Sequence, residues 1–375
     1  MSTEESDAVV IDNGTLNIKC GFGGDDAPRG FFRTALGRPK AHVMNVMANN
    51  VKLHVGEDAQ RRASILDLVN PICDGRVEDW DGMTSLWDHV FNDQLFVDPQ
   101  DQPVLLTEPA TRPKANREKM TRIMFEDFKV PALFIQCPAI LSAYASGCTS
   151  GVVLDCGESV TSVVPLYEGY ALPHAIRSLQ VSGQQLTEYH MRLLRFGHLI
   201  SSNRAAETAR RIKHALGYVA SDFDTAAETA EEQIYELPDG NKIPVGDVRF
   251  QVPEALFKPS LIGLNETPGI HEAIVETIDE CDIDIRAKLY EGIVTTGGST
   301  MFRGLDQRLE TEIKSLAPSS LGEKMKIIDP VCDRKDCLAW IGGSVAACLD
   351  RFQTLWVTKE EYEEVGVSIV HRKCY

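Results

Sequence analysis

Two short stretches of this chain are near copies, and each runs from a strand-like apolar segment into a turn of small residues. The first is Val9-Val10-Ile11-Asp12-Asn13-Gly14-Thr15; the second is Val152-Val153-Leu154-Asp155-Cys156-Gly157-Glu158-Ser159. β-Branched and aliphatic residues favour a buried strand, which fixes the carboxylate at its end. The glycine that follows carries no Cβ, so backbone N–H groups can approach an anion closely. One Asp-x-Gly turn carries little information. Two of them, each followed by a β-rich run, point to a duplicated α/β fold with a nucleotide clamped between the halves.

The chain is long enough for such a duplication: 375 residues, 43% of them hydrophobic, suffice for two domains. The balance of 38 Lys+Arg against 55 Asp+Glu gives a net charge of −17. Neutralising a phosphate backbone needs a basic face, so direct nucleic-acid binding is not expected. An acidic surface favours basic partners instead. Glu4, Glu5 and Asp7 precede any apolar run, unlike a signal peptide. No stretch approaches the ~18 apolar residues of a membrane helix, so no membrane insertion is expected. The ten cysteines are then expected as free thiols in a reducing compartment. Cys332 and Cys337 lack companions at zinc-ligand spacing.

Strand-like and helix-like segments alternate along the chain, which indicates helices packed on sheets. Residues 8–22 read as a β-hairpin around the first turn. Helical spacing over 114–128, with Pro113 at a tolerated start, precedes a buried strand over 130–135 and a helix over 139–146. Beyond the second turn, 161–170 alternates like a strand pair, and 184–194 and 205–216 read as helices. Residues 237–243 read as a hairpin with a Pro238-Asp239-Gly240 turn, and 270–278 and 283–290 as helices. A strand within 292–300 ends in a third glycine-rich turn at Gly297-Gly298, before an amphipathic helix over 305–316. A last helix opens near Trp340 and runs towards Leu349. The 40–53 segment has no acidic residue; it reads either as an ordinary hairpin or as a contact loop that inserts Met44 and Met47 into a partner.

Several longer strings carry a resemblance. They include Gly24-Asp25-Asp26-Ala27-Pro28-Arg29, Leu105-Leu106-Thr107-Glu108, Ala115-Asn116-Arg117-Glu118-Lys119-Met120-Thr121, Tyr167-Glu168-Gly169-Tyr170-Ala171-Leu172-Pro173-His174-Ala175 and Ile369-Val370-His371-Arg372-Lys373-Cys374. Through them the chain resembles the actin family over its whole length. The resemblance implies a duplicated actin-like ATPase fold of ribonuclease-H-like α/β type, with two lobes and a nucleotide cleft between them. It implies ATP or ADP with Mg²⁺ (or Ca²⁺), and head-to-tail assembly with other copies into filaments. The implied subdivision is 1–33 with 71–146 and 336–375 as the small-lobe base, and 34–70 as the docking-loop subdomain. Residues 147–182 with 270–335 would form the large-lobe base, and 183–269 its outer subdomain.

The resemblance also implies roles for single residues. Gly14, Thr15 and Leu16 in the first turn, and Asp155, Gly157, Glu158 and Ser159 in the second, would wrap the phosphates, with Lys19 contacting them as a point charge. Asp12 and Asp155 would hold the cation mainly through its waters. Arg210, Lys213, Gly297, Gly298, Met301, Phe302 and Lys335 match positions that pocket adenine and ribose, although an extra residue near 332–338 leaves the match of Lys335 open. The 40–53 segment would dock into the next subunit. A groove flanked by Tyr144, Gly147, Thr149, Val345, Leu349 and Phe352 would receive it and actin-binding proteins, while Tyr144 and Leu349 also read as plain core residues. The acidic start resembles the end of actins that meets myosin-type motors. Cytoplasm and cytoskeleton, with a nuclear pool, are the implied locations.

The departures from the family concentrate at the chemistry. Actins place a water-orienting glutamine where this chain has Pro138, and a histidine where it has Ser162. Proline offers neither amide nor N–H, and a serine hydroxyl is no base near neutral pH. Gln136 would share the strand face of Pro138 but sit about 6.6 Å away. Leu16 and Ser159 replace glycines, Glu158 replaces an aspartate, and His214 stands where a glutamate commonly faces the sugar. Asp74 replaces a histidine and Gln185 an aspartate. The expectation is nucleotide binding with slowed hydrolysis, in a filament-forming cytoskeletal actin. The alternative is an actin-related protein acting as a nucleotide-bound scaffold in a motor or chromatin-remodelling complex.

Overall fold

A computed structural model describes residues 7–40, 53–111, 113–194, 202–229, 231–237, 240–329 and 332–374, without the side chains of 202–204 and 351. The expectations placed on residues 41–52, on Glu4 and Glu5 and on the Pro238-Asp239 corner lie outside the described residues. The chain divides into two units, Met1–Gly147 with Cys337–Tyr375, and Cys148–Asp336.

The first unit is built on a six-stranded sheet in the order Val357–Thr358, Ala132–Gln136, Val104–Thr107, Val9–Asn13, Asn17–Phe22, Gly30–Arg33. Val9–Asn13 runs antiparallel to Asn17–Phe22 and parallel to Val104–Thr107. Val9, Val10 and Ile11 are all fully buried. Both faces of this strand are therefore covered, which is why its sequence is apolar without alternation. Helices Pro138–Ala145 and Leu338–Ala347 pack on one another and on this sheet. Trp340 Nε1 donates to the Val10 carbonyl at 3.0 Å, fastening the second helix to the central strand. Pro138 occupies the first helical turn, where its missing N–H costs nothing.

The helix expected over 114–128 is α-helical over Lys114–Arg122 and widens into a π-type turn over Ile123–Asp127. Helix Trp80–His89 widens in the same way over Val90–Leu95. Apolar spacing does not separate the two geometries, because each brings Met120, Ile123 and Met124 to the core. The tail of the chain is tied in by the buried Glu108, which accepts from Arg117 Nε at 2.7 Å, while Arg117 Nη1 donates to the Cys374 carbonyl.

The second unit repeats the plan. Its sheet runs Tyr170–Ala171, Thr161–Tyr167, Gly151–Cys156, Ile293–Thr296, with Arg177–Leu179 paired along Thr161–Tyr167. Again an antiparallel hairpin, Gly151–Cys156 with Thr161–Tyr167, takes a parallel neighbour on its first strand. Around it lie the helices Gly183–Leu193, Ser202–Leu216, Ile270–Asp279, Ile283–Tyr290 and Leu305–Leu316, close to the ranges that periodicity predicts. The hairpin near 240 forms between Gln233–Glu236 and Lys242–Val245. Each unit has its own apolar core, centred on Ile11, Leu105 and Trp340 in the first and on Leu154, Ile274 and Leu309 in the second.

The close approach of Pro138–Ala145 and Leu338–Ala347 depends on Gly342, because a Cβ there would run into the Leu141 carbonyl. Gly342→Ala should lower stability by about 1–3 kcal/mol through overpacking, read as a shifted denaturant midpoint at constant m-value. Gly246→Ala, whose added Cβ meets nothing within 4 Å, should leave the midpoint nearly unchanged.

Candidate functional site

In the first unit, the hairpin register sets Asp12 directly across from Lys19. Lys19 Nζ donates to Asp12 Oδ2 at 2.7 Å, and both residues are buried, at 9% and 6% exposure. The other carboxylate oxygen, Oδ1, accepts from Thr107 Oγ1 at 2.8 Å. Thr107 Oγ1 also accepts from the Asn13 amide at 2.8 Å, and Trp87 Nε1 donates to Asn13 Oδ1 at 3.1 Å. Both oxygens of Asp12 are thus held, and the carboxylate has one orientation. The turn after it is braced from outside: Thr34 Oγ1 donates to the Gly14 carbonyl at 2.6 Å, and Asn70 Nδ2 to the Thr15 carbonyl at 2.6 Å. A Cβ at Gly14 would collide with the Asn17 carbonyl, so this turn requires glycine. Leu16 is half-buried at the base of the turn.

The second unit presents the same hairpin with Asp155 across from Ser162, the same seven-residue step as Asp12 to Lys19. Ser162 is therefore the structural counterpart of Lys19. The Gly157 amide closes the turn on the Val160 carbonyl at 2.9 Å. Gly297, at φ +91°, brings the third turn against the second: a Cβ there would lie 2.5 Å from the Cys156 carbonyl oxygen and 2.7 Å from Asp155 Oδ1. Only glycine permits that contact. Cys156, between the two, is a buried thiol pushed up to about 12 by desolvation, which keeps it protonated.

Glu158 joins Arg210, whose Nη2 donates to Glu158 Oε1 at 2.8 Å, and Arg210 Nη1 donates to Glu207 Oε2 at 2.9 Å. Burial, the largest single influence, lowers the guanidinium pKa; the Glu158 and Glu207 carboxylates together outweigh it and the net shift is upward. Lys213 is 3% exposed and donates to the Gly183 carbonyl at 2.7 Å and to Thr187 Oγ1 at 2.8 Å. Burial pushes its ammonium down to about 8, against the pull of Glu158 and with a push from Arg210. His214 and Met301 line a cleft of about 1230 Å³ together with Tyr218, Arg249 and Arg303. Phe302 is buried, and a Cβ on Gly217 would press on its ring. Gly298 faces open space.

Two residues are placed differently from the expectation. The Lys335 ammonium is engaged inside its own unit, with Asp306 Oδ2 at 2.5 Å and Thr295 Oγ1 at 2.7 Å. What it brings to the third turn is its backbone carbonyl, which accepts from the Gly297 amide at 3.2 Å. Phe352, expected on the groove, is a core residue whose ring centroid lies 4.6 Å from that of Phe134. The other first-unit groove residues are accessible: Val345 and Leu349 are exposed, Gly147 is exposed and Tyr144 is half-buried. Thr149 belongs to the second unit and is exposed there. At the water position, Pro138 begins its helix, and Gln136 turns back so that its Oε1 accepts from the Cys137 amide at 2.8 Å. Thr107, Thr34, Asn70, Glu207 and Thr187 complete the two sites and were not anticipated as site residues. Thr107 alone had a local signal, as the polar end of the apolar Val104–Thr107 strand.

Duplicated hairpin sheets, each ending in an Asp and a glycine turn, define a two-unit α/β protein of actin-like fold. The sequence model of the actin family matches residues 3–205 and 196–375, and the chain belongs to that family. The family generally binds ATP or ADP with a divalent cation, self-assembles, binds actin-binding proteins and is typically cytoskeletal. Among the described residues no helix is long and apolar enough to cross a membrane.

Beside Lys213, the buried His190 donates from Nδ1 to the Ala209 carbonyl at 2.9 Å, and burial pushes its pKa down to about 4. The unfolded chain then binds more protons than the folded one between pH 4 and about 6.5. The contribution of His190 to stability is complete above about pH 6.5 and falls by about 3 kcal/mol as the pH drops to 4. His190→Asn, which keeps a donor near Nδ1, should flatten the stability–pH curve in that window, measured by urea unfolding at several pH values.

Proposed function

We propose that this protein binds ATP with Mg²⁺ (or Ca²⁺) and assembles with other copies as a cytoskeletal actin whose ATP hydrolysis is slowed. The observation that carries the reading is the equal register of the two hairpins, which presents an Asp and a glycine turn in each unit. The residues present fit a metal-complexed triphosphate. The carboxylates are hard oxygen donors suited to a hydrated Mg²⁺, Lys19 supplies a cation beside Asp12, and Gly14 and Gly297 stand where a Cβ could not. The cation and phosphates, when bound, supply an electrophilic phosphorus atom for water to attack. Asp12, with both oxygens held, would orient waters of the cation; Lys19 would share its charge between Asp12 and the phosphates; the turn amides would donate to phosphate oxygens.

The groups that would position the attacking water are absent from their family places. Pro138 has no amide to offer, the Oε1 of nearby Gln136 is committed to Cys137, and Ser162 supplies only a hydroxyl beside Asp155. The same feature favours a second reading, a nucleotide-bound actin-related scaffold in a motor or chromatin-remodelling complex, because bound nucleotide can stabilise a fold without turnover. The exposed Val345 and Leu349, with Tyr144, support docking of actin-binding proteins in the first reading. The resemblance to actins supports a reading that includes contact with myosin-type motors, a cytoplasmic and cytoskeletal location, and a nuclear pool.

Calorimetry on folded, nucleotide-stripped protein should give stoichiometric heat with ATP and Mg²⁺; its absence ends both readings. Phosphate release should be far below that of an ordinary actin in the same assay, and Pro138→Gln with Ser162→His should raise it on the order of 10²-fold. Sedimentation with Mg²⁺, ATP and salt separates the readings: regular filaments in the pellet support the first, and a persistent monomer that co-purifies with fixed partners supports the second.

A further inference from the structure

The second turn is fastened to the outer helices of its unit by a link in which Glu158 is central. Its side chain and that of Arg210 are 11% and 16% exposed, and their ion pair spans 2.8 Å. The backbone of the same turn holds the start of helix Gly183–Leu193: the Gly157 carbonyl accepts from the Gly183 amide at 3.0 Å, and the Glu158 carbonyl from the Gln184 amide at 2.7 Å. A Cβ on Gly183 would lie 2.8 Å from Glu158 Oε2, so that helix start fits closely around the carboxylate. Lys213 then ties the Gly183 carbonyl back to helix Ser202–Leu216, which also carries Arg210. Turn, first helix and second helix form a closed loop of contacts, with Glu158 at the corner. The Arg210 Nε–H is buried and without a partner among the described residues, and the rest of the guanidinium is shared between Glu158 and Glu207 of its own helix.

We propose that Glu158 and Arg210 are a positioning pair that holds the second turn against the outer helices and thereby sets how long a bound nucleotide stays. The proposal rests on the ATP reading above. The length of the side chain is what makes the link: an aspartate at 158 is shorter by one C–C bond, about 1.5 Å. From the observed 2.8 Å, that withdrawal breaks the ion pair unless the turn itself moves. Opening the loop at this corner loosens the turn over Gly157, Glu158 and Ser159, whose Glu158 and Ser159 amides would donate to phosphates in the proposed site. Dissociation changes more than association in such cases, because the contact is lost in the bound state.

The test uses the full chain with Glu158→Asp, Arg210→Lys as a second variant, and Lys314→Ala as a control that removes only the exposed Lys314–Glu310 pair. Hydrogen exchange of nucleotide-free protein should show faster exchange at amides 157–159 and 183–184 in both pair variants and no change in the control. Release of a fluorescent ATP analogue should be about tenfold faster in the same two variants, with association altered much less. Arg210→Lys decides the outcome if Glu158→Asp does not fold. Wild-type protein that takes up no ATP overturns the nucleotide reading and this proposal with it. ATP uptake with equal release and equal amide exchange in wild type and variants overturns the pair alone.

Discussion

The buried ion pair between Asp12 and Lys19 is the interaction on which the rest of the first site depends. Two charges at 6% and 9% exposure have lost most of their water, and such a pair is sustained only by close geometry and by further hydrogen bonds. Here the geometry comes from the hairpin, which sets the two residues opposite one another, and the further bond comes from Thr107 on the parallel strand. The carboxylate is thus fixed from two neighbouring strands at once. The result is a rigid anion beside a cation, next to a glycine turn, held without slack in the sheet.

Close backbone approach is the second theme. Gly14 lets its turn fold under the Asn17 carbonyl, Gly297 brings one turn against the Asp155 carboxylate, and Gly342 lets two helices touch. In each case the missing Cβ admits another backbone or a side chain, and the contact places a turn in the first two cases and a helix in the third. The fully buried strands and helices around them, with Trp340 bonded to Val10, leave little freedom for these turns to shift. Precision at the site is therefore a property of the core.

The departures at Pro138, Ser162 and Glu158 have different structural consequences. Pro138 is comfortable as a helix start, so the fold gains a good terminus there. Ser162 keeps the strand register and sets a hydroxyl across from Asp155. Glu158 instead adds reach and uses it to join Arg210. In the proposed reading the first two changes would subtract from turnover, while the third joins the turn to the outer helices of its unit.

Much of this was legible in the chain itself. The apolar runs at Val9 and Val152, the Asp and Gly that follow them, the helix over 305–316 and the hairpin around 240 rest on local periodicity and turn chemistry, which act over a few residues. Those same short-range rules blurred where an α-helix widens into a π turn, as after Arg122. The partners that finish the site were decided by the tertiary structure: Thr107 reaches Asp12 across 95 residues, Arg210 reaches Glu158 across 52, and Asp306 captures Lys335 across 29. Phe352 became core for the same reason, since Phe134, far away in the chain, reaches its ring only once the sheet is assembled. The order of residues determines which strand ends in an aspartate; which side chains arrive to hold that aspartate depends on sheet order and packing, and no local pattern encodes these.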